Sequence, residues 1–146
     1  MADSFGAKLE ANRALVEEHL RVEGLQQMDA LLDTFGKSPF FQLNSQRSTG
    51  RDGIRTVYSG MFAGFPDIQT TVRNWYVGPD SVVIETILSG THKAAWNGIP
   101  PTGRHVAVPM CAIFPIDADG KLQAEIVYFD SAILLQQLGL ATSGGV

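Results

Sequence analysis

Asp130 is a candidate general acid or base because it ends an alternating stretch of apolar residues. On an extended strand it would share one face with Leu122, Ala124, Ile126 and Tyr128. An apolar wall disfavours the ionised form of a carboxyl group and keeps a proton available for transfer. Asp is also a favoured N-cap, and a helical pattern begins at residue 131, so capping is an open alternative for the same side chain.

Two histidines are candidates for assisting proton transfer, because an imidazole titrates near neutral pH. His92 follows the Gly90-Thr91 turn and precedes a long loop, where it is either a donor at a pocket mouth or a surface residue. His19 lies on the apolar stripe of the first helical segment, as either a pocket donor or a core histidine bonded to a neighbour. Together with His105 these histidines are too dispersed for a metal site, and none is expected.

The remaining candidate site residues are expected to bind substrate rather than to transfer protons. A cavity next to Asp130 is expected to be lined by Tyr58, Phe62, Thr86 and Tyr128. Trp96 lies in the long loop after His92, where it either closes the pocket as a lid or packs the loop down. Asn44 ends a short extended segment and is either a partner for a substrate carbonyl or a turn residue.

Periodicity places these residues on helices and strands. The i, i+3, i+4, i+7 pattern predicts helix over residues 5–35, interrupted at Gly24, and again over residues 50–64. Alternation then predicts four strands, at residues 70–77, 82–90, 106–116 and 122–130. A short helix is predicted over 131–139, and residues 141–146 are expected to be a frayed tail.

This element order predicts one α+β domain across residues 1–146, with three N-terminal helices packed on a curved antiparallel sheet. Alternating βα units are lacking, which excludes a dinucleotide-binding fold. A sheet that curls around helices forms a cone, and its open end suits a small hydrophobic ligand.

Charge and composition exclude several classes of partner. The formal net charge is −4 and the basic residues are scattered, so nucleic acid is not an expected partner. The N-terminal segment does not resemble a secretory leader, and a run of roughly 20 apolar residues is lacking. Cys111 is the single cysteine, which excludes an internal disulfide. We therefore expect a cytoplasmic protein that does not bind membranes.

Several motifs of the second half resemble the SnoaL-like polyketide cyclases, within the nuclear transport factor 2-like superfamily. They are Gly90-Thr91-His92, Gly98-Ile99-Pro100-Pro101-Thr102-Gly103-Arg104, Asp119-Gly120-Lys121, Tyr128-Phe129-Asp130 and Leu134-Leu135-Gln136-Gln137-Leu138-Gly139. Phe65-Pro66-Asp67 and Met28-Asp29-Ala30-Leu31-Leu32 extend the likeness to nearly the whole chain. The resemblance implies the cone-shaped fold described above.

The same resemblance implies a function. Polyketide cyclases of this type use a carboxylate near the end of the last strand for an intramolecular aldol closure, without metal or organic cofactor, and Asp130 matches that position. The expected activity is acid/base proton transfer on a small hydrophobic carbonyl compound, of cyclase or isomerase type, assisted by His92, His19 or Tyr128. A binding protein without chemistry is the alternative.

Related families with this fold lead to further expectations. His19 stands where ketosteroid isomerases carry a tyrosine in helix one, and Leu43 replaces their general base. Limonene-epoxide hydrolases bracket an arginine between two acids, whereas strand 82–90 offers Glu85 but no arginine. Epoxide hydrolysis is therefore an alternative that ranks behind the others. A homodimer is also implied, and the residues expected on its outer sheet face are Trp75, Val77, Ile113 and Phe129.

Overall fold

The computed structural model describes residues 2–140, in which most helices and strands are joined by short turns and one long loop links the fourth strand to the fifth. The elements are α1 (Ala2–Gly24), α2 (Met28–Leu32), β1 (Phe35–Leu43), β2 (Gln46–Thr49), α3 (Gly50–Gly64), β3 (Gln69–Val77), β4 (Ser81–Thr91), β5 (His105–Pro115), β6 (Leu122–Phe129) and α4 (Ser131–Gln137). The tail expected at 141–146 lies outside this range. Within it, no helix combines the length and apolar character needed to cross a bilayer.

The second helix is shorter than its apolar pattern predicts. It ends at Leu32, whereas the periodicity predicts helix to residue 35. Phe35 instead begins β1 and pairs with Leu122 of β6. Pro39 has no N–H to donate to a strand ladder, and the register of β1 against β6 shifts in the segment that contains it.

The strands form one curved sheet in the order β2-β1-β6-β5-β4-β3. This confirms the α+β class, but the expectation of a wholly antiparallel sheet is wrong in one place. β1 runs parallel to β6, while every other neighbouring pair is antiparallel. The hairpin of β1 and β2 thus joins the sheet beside the last strand, and no local pattern predicts such a long-range pairing.

The core lies between α1 to α3 and the inner face of the sheet. The helices contribute Val16, Leu31, Ile54 and Tyr58, and the strands contribute Val82, Ile84 and Phe114, all buried. A second cluster lies at the other end of the domain and includes Phe65, Val106, Val108, Leu134 and Leu138. There α4 covers the end of the sheet, since Leu134 within the helix and Leu138 at its C-cap are both buried in this cluster.

An irregularity in β6 changes which of its residues face inward. Ile113 pairs with Ile126, but Ile116 pairs with Leu122, so β6 contains one extra residue over this interval. Such a bulge moves the following side chains to the opposite face. Leu122 and Ala124 are buried, as strict alternation predicts, but beyond them Glu125 and Val127 are the buried residues.

A similar irregularity in β3 changes which of its residues lie on the outer face, so the residues expected there are partly wrong. The register against β4 shifts between Val72 and Asn74. Trp75 and Val77 consequently pack against the core, with the Arg13 guanidinium of α1 lying 4.7 Å from the Trp75 ring centre. Phe129 also packs inward, against the second cluster. The opposite face instead carries Tyr76, Val83, Ile113 and Ile126, which are paired across neighbouring strands.

Candidate active site

Asp130 is the N-cap of α4 and does not face the interior of the cone. Its side chain is exposed, and Oδ1 accepts a hydrogen bond from the amide of Ala132 at 2.9 Å. The expectation that Asp130 ends an apolar wall is wrong, because the bulge in β6 shifts the alternation. Tyr128 is on the outer face for the same reason, with 48% of its surface exposed.

His92 and Asn44 are held by their own loops. The His92 ring is fully buried rather than at the surface, and it stacks on Phe65 with 5.1 Å between ring centres. Its Nδ1 accepts a hydrogen bond from the amide of Thr102 at 3.2 Å. Asn44 has a φ of 51°, and its Oδ1 accepts from the amide of Phe129 at 3.0 Å. Of the two roles expected for Asn44, partner of a substrate carbonyl or turn residue, the structure therefore shows the turn residue.

His19 is the centre of a buried polar cluster. The hydroxyl of Thr34 donates to the carbonyl oxygen of Leu31 at 2.6 Å, so its oxygen is left to accept from His19 Nδ1 at 2.9 Å. Nδ1 must then carry the proton of that bond. Nε2 points the other way, toward the side chains that complete the cluster.

Those side chains are Tyr58, Glu125 and Glu23. His19 Nε2 lies 3.2 Å from the Tyr58 hydroxyl, 3.2 Å from Glu125 Oε2 and 3.7 Å from Glu23 Oε2. The Tyr58 hydroxyl donates a hydrogen bond to Glu125 Oε2. Both glutamates are almost completely buried, at 6% exposure each. Groups from α1, α3 and β6 therefore converge on one point inside the cone.

The buried charges shift the pKa values of this cluster. Burial raises the pKa of Glu23 to about 7, and the negative charge of Glu125 adds to the effect. Burial and the same two carboxylates raise the pKa of Tyr58, which keeps it a proton donor. Burial alone would lower the pKa of His19, but the charge and hydrogen bond of Glu125 outweigh it, with help from Glu23, and raise the pKa.

The donor atoms of His19, Glu23 and Glu125 lie within 4.8 Å of one another, close enough to surround one divalent ion. The same contacts are satisfied by protons, since Tyr58 donates to Glu125 and His19 donates to Thr34. We therefore interpret the arrangement as a proton-sharing cluster, and the absence of a metal stays a prediction.

A cavity of about 40 Å³, here called the inner chamber, adjoins this cluster. Glu23, Tyr58, Thr70, Thr86 and Glu125 are its polar lining, and the rest of the lining is apolar. A second cavity of about 50 Å³, the outer chamber, lies toward α4 and is lined by Trp96, Phe65, Val106, Leu134 and other mainly apolar residues. Of the expected pocket residues, Tyr58 and Thr86 therefore lie at the inner chamber and Trp96 at the outer one, while Phe62 packs against both core clusters.

A family model described as SnoaL-like polyketide cyclase matches residues 18–138, which span the cluster, both chambers and α4. This chain belongs to that family. No curated protein matches the SnoaL-like chain in sequence.

Solved structures share the fold of this SnoaL-like protein. A protein of Jannaschia sp. CCS1 described as a SnoaL-like polyketide cyclase is 25% identical, with a TM-score of 0.79 over 91% of this chain and 94% of that one. A protein of Catenulispora acidiphila with a ketosteroid isomerase-like fold is 20% identical, with a TM-score of 0.74 over 90% and 97%. SalBIII, described as an epoxide hydrolase/cyclase-like enzyme, is 16% identical, with a TM-score of 0.71 over 83% and 92%. The fold is thus that of the ketosteroid isomerase and nuclear transport factor 2-like proteins.

Sequence reasoning missed Thr34 and the two acidic residues of the cluster in this SnoaL-like protein. Glu23 follows His19 by four positions on α1, a spacing that places both side chains on one helix face and offered a signal. Glu125 offered no such signal, because regular alternation places it on the face of the strand away from Ala124 and the core. Only the extra residue in β6 lets Ala124 and Glu125 both point inward.

Proposed function

We propose that this chain is a cofactor-independent enzyme that transfers protons on a small hydrophobic carbonyl compound, as a polyketide cyclase or isomerase would. The observation that carries the proposal is a pair of buried carboxyl groups, Glu23 and Glu125, that line the inner chamber and lie 3.7 Å and 3.2 Å from His19 Nε2. Membership of the SnoaL-like family supports the reaction class. The active acids are then these two glutamates, in place of Asp130.

Glu125 is the proposed base. Its Oε2 accepts from Tyr58 and lies next to His19 Nε2, so the carboxylate is held by a donor and by the nearby imidazole. In the proposed reaction the Glu125 carboxylate removes a proton from the carbon beside the substrate carbonyl. The mainly apolar walls of the chamber limit the number of water molecules that compete as proton acceptors.

Glu23 is the proposed acid. With a pKa of about 7 a substantial part of the protein carries it protonated at neutral pH. Its proton passes to the carbonyl oxygen as the carbon proton leaves, which gives an enol without a separated negative charge. In a cyclase the enol carbon then attacks a second carbonyl of the same molecule, and in an isomerase Glu125 returns the proton to another carbon. One protonated and one ionised carboxyl group in the same site are the usual basis of such paired acid and base roles.

Exchange of the α-protons of 2-tetralone for deuterium in D₂O, followed by proton NMR, tests this proposal. We expect the wild type to accelerate exchange, and Glu125→Gln to lower the rate at least about a hundredfold, the lower range for a lost general base. Asp130→Asn is the matched control and should exchange at the wild-type rate. Equal rates for wild type and Glu125→Gln, or loss of exchange in Asp130→Asn alone, would contradict the assignment.

Epoxide opening is a second candidate, favoured by the position of His19 between two acids. Protonated Glu23 could donate to an epoxide oxygen while Glu125 takes a proton from an attacking water. The likeness to SalBIII supports this candidate. Hydrolysis of styrene oxide without any exchange of 2-tetralone would favour it, whereas binding of either compound without turnover would favour a binding protein.

The proposed enzyme is a homodimer that pairs through the outer face of the sheet. A row of apolar side chains crosses four strands there, formed by Tyr76, Val83, Ile113 and Ile126. Tyr76 is 53% exposed, unusually open for a large aromatic residue. A contiguous apolar surface of this kind suits a second copy of the chain.

A further inference from the structure

The two chambers share three wall residues, Met61, Leu88 and Met110. Neither chamber, at about 50 and 40 Å³, approaches the roughly 300 Å³ at which ordinary small-molecule sites begin. A ligand larger than a few atoms therefore extends into both chambers, and it then contacts the three shared side chains.

The chambers differ in chemistry. Ser89 is the single hydroxyl-bearing residue in the lining of the outer chamber, and the lining has no charged side chain. The inner chamber has the two glutamates and Tyr58. An apolar molecular body is therefore stable in the outer chamber, and an oxygen function is stable in the inner one, where donors and acceptors can bond it.

The shared walls are able to move. Met61 lies one helical turn after Tyr58 on α3, and Met110 lies on β5 opposite Thr86. Methionine is unbranched and has three rotatable side-chain bonds, so it changes rotamer at lower cost than a branched residue. Two methionines at the junction can thus open a passage without moving the backbone of α3 or β5.

A route from the surface reaches the outer chamber. A groove beside α4 is lined by Asn44, Asn97 and Ser131, and it shares Leu43, Trp96, Phe129 and Leu134 with the outer chamber. The groove therefore adjoins the outer chamber, and the outer chamber adjoins the inner chamber at the two methionines.

We infer that the substrate is an elongated molecule with an apolar body and a carbonyl group at one end, and that Met61 and Met110 form a gate that selects it. The body occupies the outer chamber, and the carbonyl passes between the two methionines to Glu125 and Glu23. This inference rests on the proposed function, because it takes the glutamates as the reacting groups.

Methyl NMR with ¹³C-labelled methionine tests the gate directly. The chain has four methionines, and single Met→Leu variants assign their signals. The probe is 2-acetylnaphthalene, and 2-isopropylnaphthalene is the control of similar shape without oxygen. We expect the ketone to shift the Met61 and Met110 signals while the Met28 signal stays in place, since Met28 lines neither chamber. The hydrocarbon should bind at least tenfold more weakly.

Gate variants add a kinetic measurement. Met61→Ala and Met110→Ala should raise the rate of α-deuteration of 2-acetylnaphthalene relative to acetone at least threefold, while Met28→Leu should keep the wild-type ratio. The NMR titration uses the unmodified protein, so it tests the gate even when one of the alanine variants does not fold.

Two results would overturn the inference, namely ketone binding that leaves both gate signals unmoved, or equal affinity for ketone and hydrocarbon. The proposed function fails separately. Shifts of the gate signals without any deuterium exchange would overturn the enzymatic function and leave the two-chamber binding mode standing. Deuterium exchange whose ratio of 2-acetylnaphthalene to acetone rates stays at the wild-type value in both gate variants would overturn the gate and leave the enzymatic function standing.

Discussion

His19 Nε2 lies 3.2 Å from Glu125 Oε2, which joins the first helix to the last strand inside the cone. Both side chains are buried, so the contact places titratable groups where water cannot screen them. The shifted pKa values of His19 and Glu23, the hydrogen bond from Tyr58 and the polar end of the inner chamber all depend on this meeting point.

Removing the hydroxyl of Tyr58 should destabilise the fold. Tyr58→Phe keeps the ring packed against Phe41 and Phe62. It removes the hydroxyl that donates to the buried Glu125 carboxylate and lies 3.2 Å from His19 Nε2. We expect a loss of about 1–3 kcal/mol in the free energy of unfolding, measured by urea denaturation.

The matched control is Tyr76→Phe, since Tyr76 also donates to a glutamate, Glu85, at 2.8 Å, but on the exposed face. That change should cost less than about 0.5 kcal/mol. Equal losses in the two variants would show that burial of the cluster adds nothing to stability.

The stability of the protein should fall as pH rises through the neutral range. Glu23 has an ordinary pKa of 4.5 when unfolded and about 7 when folded. Its contribution to the free energy of unfolding is therefore complete below pH 4.5 and is lost as pH rises through 7. The loss is on the order of 3 kcal/mol. The raised pKa of His19 acts in the same direction.

Urea unfolding between pH 5 and pH 8 measures this effect. Glu23→Gln has no ionisable group at that position, so its profile should be distinctly flatter than that of the wild type. Glu17→Gln on the exposed side of α1 should retain the wild-type slope, because Glu17 pairs with Arg13 in solvent. Parallel profiles for wild type and Glu23→Gln would disprove the assignment.

Asp130 should matter for stability and not for turnover. Asp130→Ala removes the acceptor for the Ala132 amide, and we expect a loss of about 1 kcal/mol. Asp130→Asn keeps a capping oxygen and should be close to the wild type in thermal unfolding. An activity loss in the alanine variant that exceeds its loss of folded protein would speak against a purely capping role.

The outer sheet face should control association. We expect light scattering to give about twice the chain mass for the wild type, and Ile113→Lys to shift the protein to monomer, because a charge would enter the apolar row. Leu25→Lys, at an exposed apolar residue at the end of α1, is the control and should remain dimeric. A wild-type protein of single-chain mass would refute the dimer.

Local patterns were enough for the α+β class and for most of the elements, whereas the family followed from the resemblance of several motifs. Helical spacing predicted α3 over residues 50–64, as the structure has it, and alternation predicted β3 to β6 within about one residue at each end. β2 was not predicted, and only the end of β1 was expected to be extended. These features follow from interactions between near neighbours in the chain, and such interactions repeat with the period of the element.

The position of each acid was decided by tertiary structure. One extra residue in β6 exchanges the faces of Glu125 and Tyr128, and a register shift in β3 turns Trp75 toward α1. Because side chains alternate with a period of two, a shift of one residue reverses every later assignment in the strand. The register is set by packing against distant strands and helices, so the amino-acid order indicated which acids exist and only the folded sheet determined which of them meet His19.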